Sequence, residues 1–115
     1  MESDIRITAV VAVVLRAFLD DAAAPRYGIE LMKATGLPSG TLYPTVARLE
    51  RAGWLISAKE DIDPSLAGRP ARRYFRLNPA MAERARYEVA ALAERLHLPA
   101  RSARRLRPGV ARGSA

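Results

Sequence analysis

Residues 36–55, GLPSGTLYPTVARLERAGWL, place a proline at position 44 inside what otherwise reads as a helix. Leu42, Val46 and Leu49 recur at helical spacing and define one apolar face. Thr41, Tyr43, Thr45, Arg48 and Arg51 lie away from that face. Ser39 fits an N-cap, and Gly53 fits the stop after about Ala52. Proline is tolerated in a first turn, where backbone amides lack intrahelical partners. If Ser39 is the cap, Pro44 falls slightly past that turn and distorts the helix locally. Both placements are open at this point.

The segment before it, from about Tyr27 to Thr35, reads as a second helix whose buried side is Ile29, Leu31 and Met32, ended by Gly36. Only GLPS separates the two, and a short glycine-containing turn between helices is the mark of a helix-turn-helix. An earlier helix is expected over about 8–20, capped by Thr8, with Val11, Val14, Leu15 and Phe18 on its apolar stripe and Ile7 and Val10 beside it. Its β-branched residues make a strand the competing assignment, but period and length favour a helix. DDAAAP, with Pro25, ends it.

After Gly53 the pattern changes. WLISAKE and ARRYFRLN carry β-formers, and DIDPSLAGRP between them contains Pro64, Gly68 and Pro70, which predicts a two-stranded hairpin. One of Tyr74 and Phe75 is expected in the core, and Trp54 as a core or hinge residue. A last helix is expected from Asn78 or Pro79 to about His97. Its apolar residues Met81, Ala85, Val89, Leu92 and Leu96 are spaced 4, 4, 3 and 4, close to a heptad seam suited to a partner helix. The fold expectation is mainly α with a β-hairpin wing: a winged helix-turn-helix over residues 1–78, a C-terminal dimerisation helix over 79–97, and a disordered basic tail over 98–115.

Composition narrows the functional classes. The chain has 115 residues and a net charge of +7, with no cysteine and one histidine. Disulfides, thiolate metal sites and a cysteine nucleophile are excluded, and no metal-ligand cluster or phosphate-cradling glycine pattern is present. No metal, no cofactor and no catalytic residue is expected. The tail accounts for five of the seven excess charges through Arg101, Arg104, Arg105, Arg107 and Arg112. The body is mildly basic, but Arg69, Arg72, Arg73 and Arg76 form a run without an acid between them, which suits a polyanion. The apolar run ITAVVAVVL is too short to span a bilayer and lacks the flanks of a signal peptide. A soluble, non-secreted, cytoplasmic protein with no membrane partner is expected.

SGTLYPTVARLERAGWL, the later GRPARRYFRLNP and the helix after them resemble PadR-type transcriptional regulators over about residues 8–97. The Tyr-Pro pair in the third helix together with Gly-Arg-Pro and a following Tyr carry the resemblance. It implies a homodimeric winged-helix repressor on a palindromic operator, released by a small-molecule effector. With a single helix after the hairpin, the form of the family with a multi-helix C-terminal domain is not expected.

The physical reading runs beside it. A recognition helix is held by one face and reads a groove with the other. Arginine is the usual bidentate partner of guanine, and hydroxyls meet phosphates. Ser39, Thr41, Tyr43, Thr45, Arg48 and Arg51 are therefore the expected contacts to double-stranded DNA. In the hairpin, Gly68 permits a turn, Arg69 offers a guanidinium at the tip, and Pro70 stiffens the return, so that Arg69 and Arg72 join the list. Asp61 and Asp63 would repel phosphate and are expected to face solvent. An effector pocket is expected between the fourth helix and the winged domain, or across the dimer. Two other classes remain: a winged-helix module for protein–protein assembly, and a nucleoid-type binder without sequence preference.

Overall fold

The Thr8 hydroxyl accepts a hydrogen bond from the Val11 amide at 3.2 Å and starts helix α1, Ala9–Leu19, where the sequence places it. The structure, a computed structural model, describes residues 5–96. Six residues of α1 are buried: Val11, Ala12, Val14, Leu15, Ala17 and Phe18. That is more than one stripe, and the helix is accordingly covered from several sides by other elements.

A short strand, β1 (Arg26–Tyr27), follows, and helix α2 (Gly28–Thr35) begins directly after it. Glu30 Oε1 accepts from the Tyr27 amide at 3.0 Å, which satisfies one donor at the start of α2. Leu31 is buried, but Ile29 is 62% exposed. The expectation that both face inward is corrected by geometry, because residues two apart on a helix point about 160° away from each other. Gly36 closes α2 in the left-handed conformation, φ 75°. The Thr35 hydroxyl donates to the Leu31 carbonyl at 2.7 Å and accepts from the Leu37 amide at 3.1 Å, so one side chain sets the turn into the next helix.

Helix α3 is Ser39–Arg51 and continues unbroken through Pro44. Its N-cap is Pro38, not Ser39. The proline ring already holds the φ that an N-cap residue needs, and the Pro38 carbonyl accepts from Thr41 and Leu42 at 3.0 and 2.9 Å. Pro44 is thus the sixth residue of the helix, past its first turn. Gly53 (φ 86°) turns the chain out of α3 into strand β2, Leu55–Lys59.

Strand β3 (Arg73–Leu77) is the centre of a three-stranded antiparallel sheet in the order β1-β3-β2. Leu55 lies opposite Leu77 and Ser57 opposite Phe75, while Tyr27 of β1 lies opposite Tyr74. Leu55, Phe75 and Leu77 face the core. The expected two-stranded hairpin therefore gains a third strand, too short for alternation to reveal it. The hairpin connection holds a one-turn helix, α4 (Pro64–Ala67), capped by the Asp63 carboxylate and ended by Gly68. Asn78 clamps the base of the hairpin: its side-chain amide donates to the Gly53 carbonyl at 2.8 Å and its backbone amide to that of Trp54 at 2.9 Å.

A 3₁₀ turn, Pro79–Met81, leads into helix α5, Ala82–Arg95. α5 packs on α1. Ala85 is fully buried in the chain's own core, and Met81 and Val89 pack partly against it. The first half of the expected intermolecular seam is therefore used within the chain. His97 and the basic tail lie outside the described residues.

This assignment of faces on α5 is directly checkable by chemical denaturation. Ala85→Asp sets an unpaired carboxylate in the core and should cost at least about 3 kcal/mol. Tyr87→Asp, on the exposed face, should stay within about 0.5 kcal/mol of the wild type.

Candidate nucleic-acid interface

Helix α3 is held by Leu42, Thr45, Val46 and Leu49. Thr45 corrects an expectation, since it is only 5% exposed and its hydroxyl donates to the Thr41 carbonyl at 2.8 Å. A threonine so placed behaves as a small core residue whose polar atom is satisfied within its own helix. It does not belong to the outward surface. Ser39, Tyr43, Arg48 and Arg51 are exposed and Thr41 is half-buried. Tyr43 and Arg48 flank the outward face about 140° apart, with Arg51 between them.

Tyr43 also has a structural contact. Its phenol lies against Gly28 so closely that a Cβ at that position would overlap it. Glycine at the first residue of α2 is what lets the two helices approach there. Tyr43 then lines an open cleft of about 650 Å³ together with Tyr27, Ile29, Arg72, Arg73 and Phe75. The fold thus brings Tyr43 of α3 and Arg72 of the hairpin to one cleft. Arg48 and Arg51 are outside it, farther along α3.

The hairpin is organised by a residue that sequence reasoning passed over. Glu60, just after β2, is only 13% exposed at its side chain. Its carboxylate accepts from Arg69 Nη1 at 2.7 Å, from the Arg72 amide at 2.9 Å and from the Tyr27 hydroxyl at 3.0 Å. A longer contact from Arg69 Nη2, at 3.4 Å, makes the guanidinium pairing two-point. The Arg69 guanidinium and the Arg72 amide, followed by the Tyr27 hydroxyl, hold the Glu60 carboxyl down to about 2 from its ordinary 4.5. The same carboxylate raises the Tyr27 phenol and the Arg69 guanidinium. Arg69, expected as a free cation at the hairpin tip, is instead folded back onto Glu60. The sequence signal was slight: Glu60 ends a run of β-formers, but it is followed at once by Asp61 and Asp63 and stands nine residues before Arg69.

Arg73 is also engaged. It donates to the Ser57 hydroxyl at 3.3 Å and stands 4.0 Å from the Glu50 carboxylate on α3. Ser57 in turn donates to Glu50 at 2.5 Å. The far end of the hairpin is unsuited to phosphate, because Asp61 and Asp63 are exposed there beside Leu66, which is 87% exposed.

Between them α1 and α5 leave a largely apolar groove of about 80 Å³, lined by Ala9, Val13, Arg16, Val89, Leu92 and Leu96. Leu96 is 47% exposed. Of the five seam residues, Ala85 is buried, Met81, Val89 and Leu92 are half-buried and Leu96 is exposed. Among the described residues no group of three or more His, Cys, Asp or Glu side chains could hold a metal, and no helix is long and apolar enough to cross a membrane. No protein-family model and no curated protein matches the chain.

The Glu60 cluster carries a pH signature. A carboxyl held below its ordinary value stabilises the fold above pH 4.5, and that contribution is lost as pH falls towards about 2. Glu60→Gln should lower stability at neutral pH and flatten the dependence between those limits, as read by thermal unfolding across the range. Parallel curves for the two proteins would remove Glu60 from the account.

Proposed function

We propose that the chain is a winged helix-turn-helix protein of the PadR type, which binds double-stranded DNA as a homodimer and represses transcription. The observation that carries this reading is the division of α3. Four side chains anchor it inward, and the opposite face presents Arg48 and Arg51, which pair with no carboxylate among the described residues. That division is what a helix needs to enter a major groove. The outward centre of α3, with Gly40, Pro44 and Ala47, carries little side-chain bulk and allows close approach. Arg72 beside Tyr43 supplies a cation next to the start of the helix, where the flanking phosphates run.

Dimerisation is supported by the α1/α5 groove. Leu92 and Leu96 have only partial cover within the chain, and the same helix of a second copy would bury them about a two-fold axis. On a palindrome the two α3 helices of such a pair would enter successive major-groove turns, whose centres lie about 34–36 Å apart. At about 80 Å³ the groove is smaller than the roughly 300 Å³ at which small-molecule sites begin, so an effector seated in this groove would need walls from both chains.

Two measurements test the reading. Selection from a random duplex library should return a palindrome, and on it Arg48→Ala or Arg51→Ala should weaken binding by about 1–3 kcal/mol wherever the residue reads a base. Arg72→Ala should weaken all duplexes alike and flatten the dependence of log K on log salt by about 0.9. Duplex binding without sequence preference would favour the nucleoid-type alternative, and no duplex binding the assembly module.

Leu92→Asp with Leu96→Asp should give a monomer by light scattering that keeps weak nonspecific affinity and loses most operator affinity. A wild type that is monomeric at high micromolar concentration yet binds a palindrome tightly would contradict the dimer.

A further inference from the structure

The hairpin presents four arginines, and charge alone makes them equivalent. Their surroundings do not. Arg69 is paired through both terminal nitrogens to Glu60. Arg73 is shared between Ser57 and Glu50. Arg72 is tied through its backbone amide to Glu60, while its exposed side chain lines the cleft with Tyr43. Arg76 is exposed on β3, opposite Ile56.

We propose that Glu60 is a positioning residue that withholds Arg69 from nucleic-acid phosphate and sets Arg72 in its place. This rests on the DNA-binding reading above and goes beyond it by dividing the hairpin cations into one that builds the arm and one that contacts the polyanion. The argument is one of competition. A phosphate that captured Arg69 would replace a carboxylate already seated at 2.7 Å. It would also leave Glu60, largely shielded from water, without its charged partner and close to the DNA. The Arg69–Glu60 unit is neutral in either arrangement, so it releases no counterion when the hairpin approaches a duplex. Arg72 has no such cost, because Glu60 takes its amide and leaves its guanidinium.

Glu60 has the donors to hold this arrangement. The Tyr27 hydroxyl reaches it from β1, and the Glu60 amide donates to the Arg72 carbonyl at 2.8 Å, continuing the β2–β3 ladder. The carboxylate is therefore fixed from three directions before any ligand arrives. It does not have to be recruited.

The experiment measures the salt dependence of binding to a mixed-sequence fluorescent duplex about three helical turns long, for the full chain and three variants. Glu60→Gln should bind more tightly at low salt, with a slope steeper by about 0.9, because a freed Arg69 adds one phosphate contact. Glu60→Gln with Arg69→Ala should return to the wild-type slope. A slope flattened by about 0.9 in that double variant would overturn the proposal, because cation and carboxylate are removed together and the net charge of the hairpin is unchanged, and Glu60→Ala with Arg69→Ala repeats the test if Glu60→Gln folds poorly. An unchanged slope in folded Glu60→Gln would overturn it as well. A wild type that binds no duplex removes the DNA-binding reading itself, whereas a wild type that binds with either of these slopes removes only the role of Glu60.

Discussion

Everything in this small fold is arranged to cover α1. Val11, Val14, Leu15 and Phe18 have no exposed surface, and α2, α3, α5 and β3 all pack against the helix that carries them. A chain of this length builds one core, so each surrounding element commits its apolar side to that purpose. For α3 the commitment is Leu42, Thr45, Val46 and Leu49. Its outward face is what remains, and a functional surface on α3 can use nothing else. The same constraint acts on α5. Ala85 is fully buried in the shared core, and the leucines of α5 left partly uncovered, Leu92 and Leu96, lie in its last turns beside Ala9, Val13 and Arg16 of α1.

Local chemistry made much of this legible in advance. Thr8 as a cap, Gly36 and Gly53 as left-handed stops, and the proline-glycine hairpin connection depend on a few neighbouring residues, and each stands where the sequence puts it. What sequence could not supply is which of several partners a residue meets. A seam at heptad spacing is the same pattern whether the partner is α1 or a second copy, and Ala85 turns out to meet the chain's own core. Thr45 carries the same hydroxyl whether it faces outward or, as here, back to Thr41. Ile29 is a different kind of miss. Helical geometry alone separates it from Leu31, and counting both as one buried side ignored that.

The electrostatic pattern shows why charge counting misleads. The run from Arg69 to Arg76 is uniformly basic in sequence, yet two of its cations face carboxylates that lie elsewhere in the chain, Glu60 and Glu50. Glu60 is nine residues away from its partner and Glu50 twenty-three, distances that only the hairpin and its packing on α3 bring to contact. Of the run, Arg72 and Arg76 face no such carboxylate among the described residues, and Arg72 stands beside the first turns of α3, apart from Arg48 and Arg51 farther along it. A surface that combines groove reading with phosphate positioning asks for separation of this kind, whereas a dense patch would favour indiscriminate attraction.

Pro44 belongs to the same balance. A proline beyond the first turn removes a backbone donor and ordinarily costs a helix about 3 kcal/mol. Its missing amide deprives the Gly40 carbonyl, one turn earlier, of its usual partner. Alanine at 44 would supply that donor without disturbing any buried side chain, since the ring faces outward and holds nothing in the core. Nothing in the packing of α3 therefore calls for proline. What the ring does change is the outward surface between Tyr43 and Arg48, where it sets a rigid, low-profile apolar step with no amide proton. The helix gives up stability on the face that the core does not use, and such a concession is intelligible when that face is shaped for a partner.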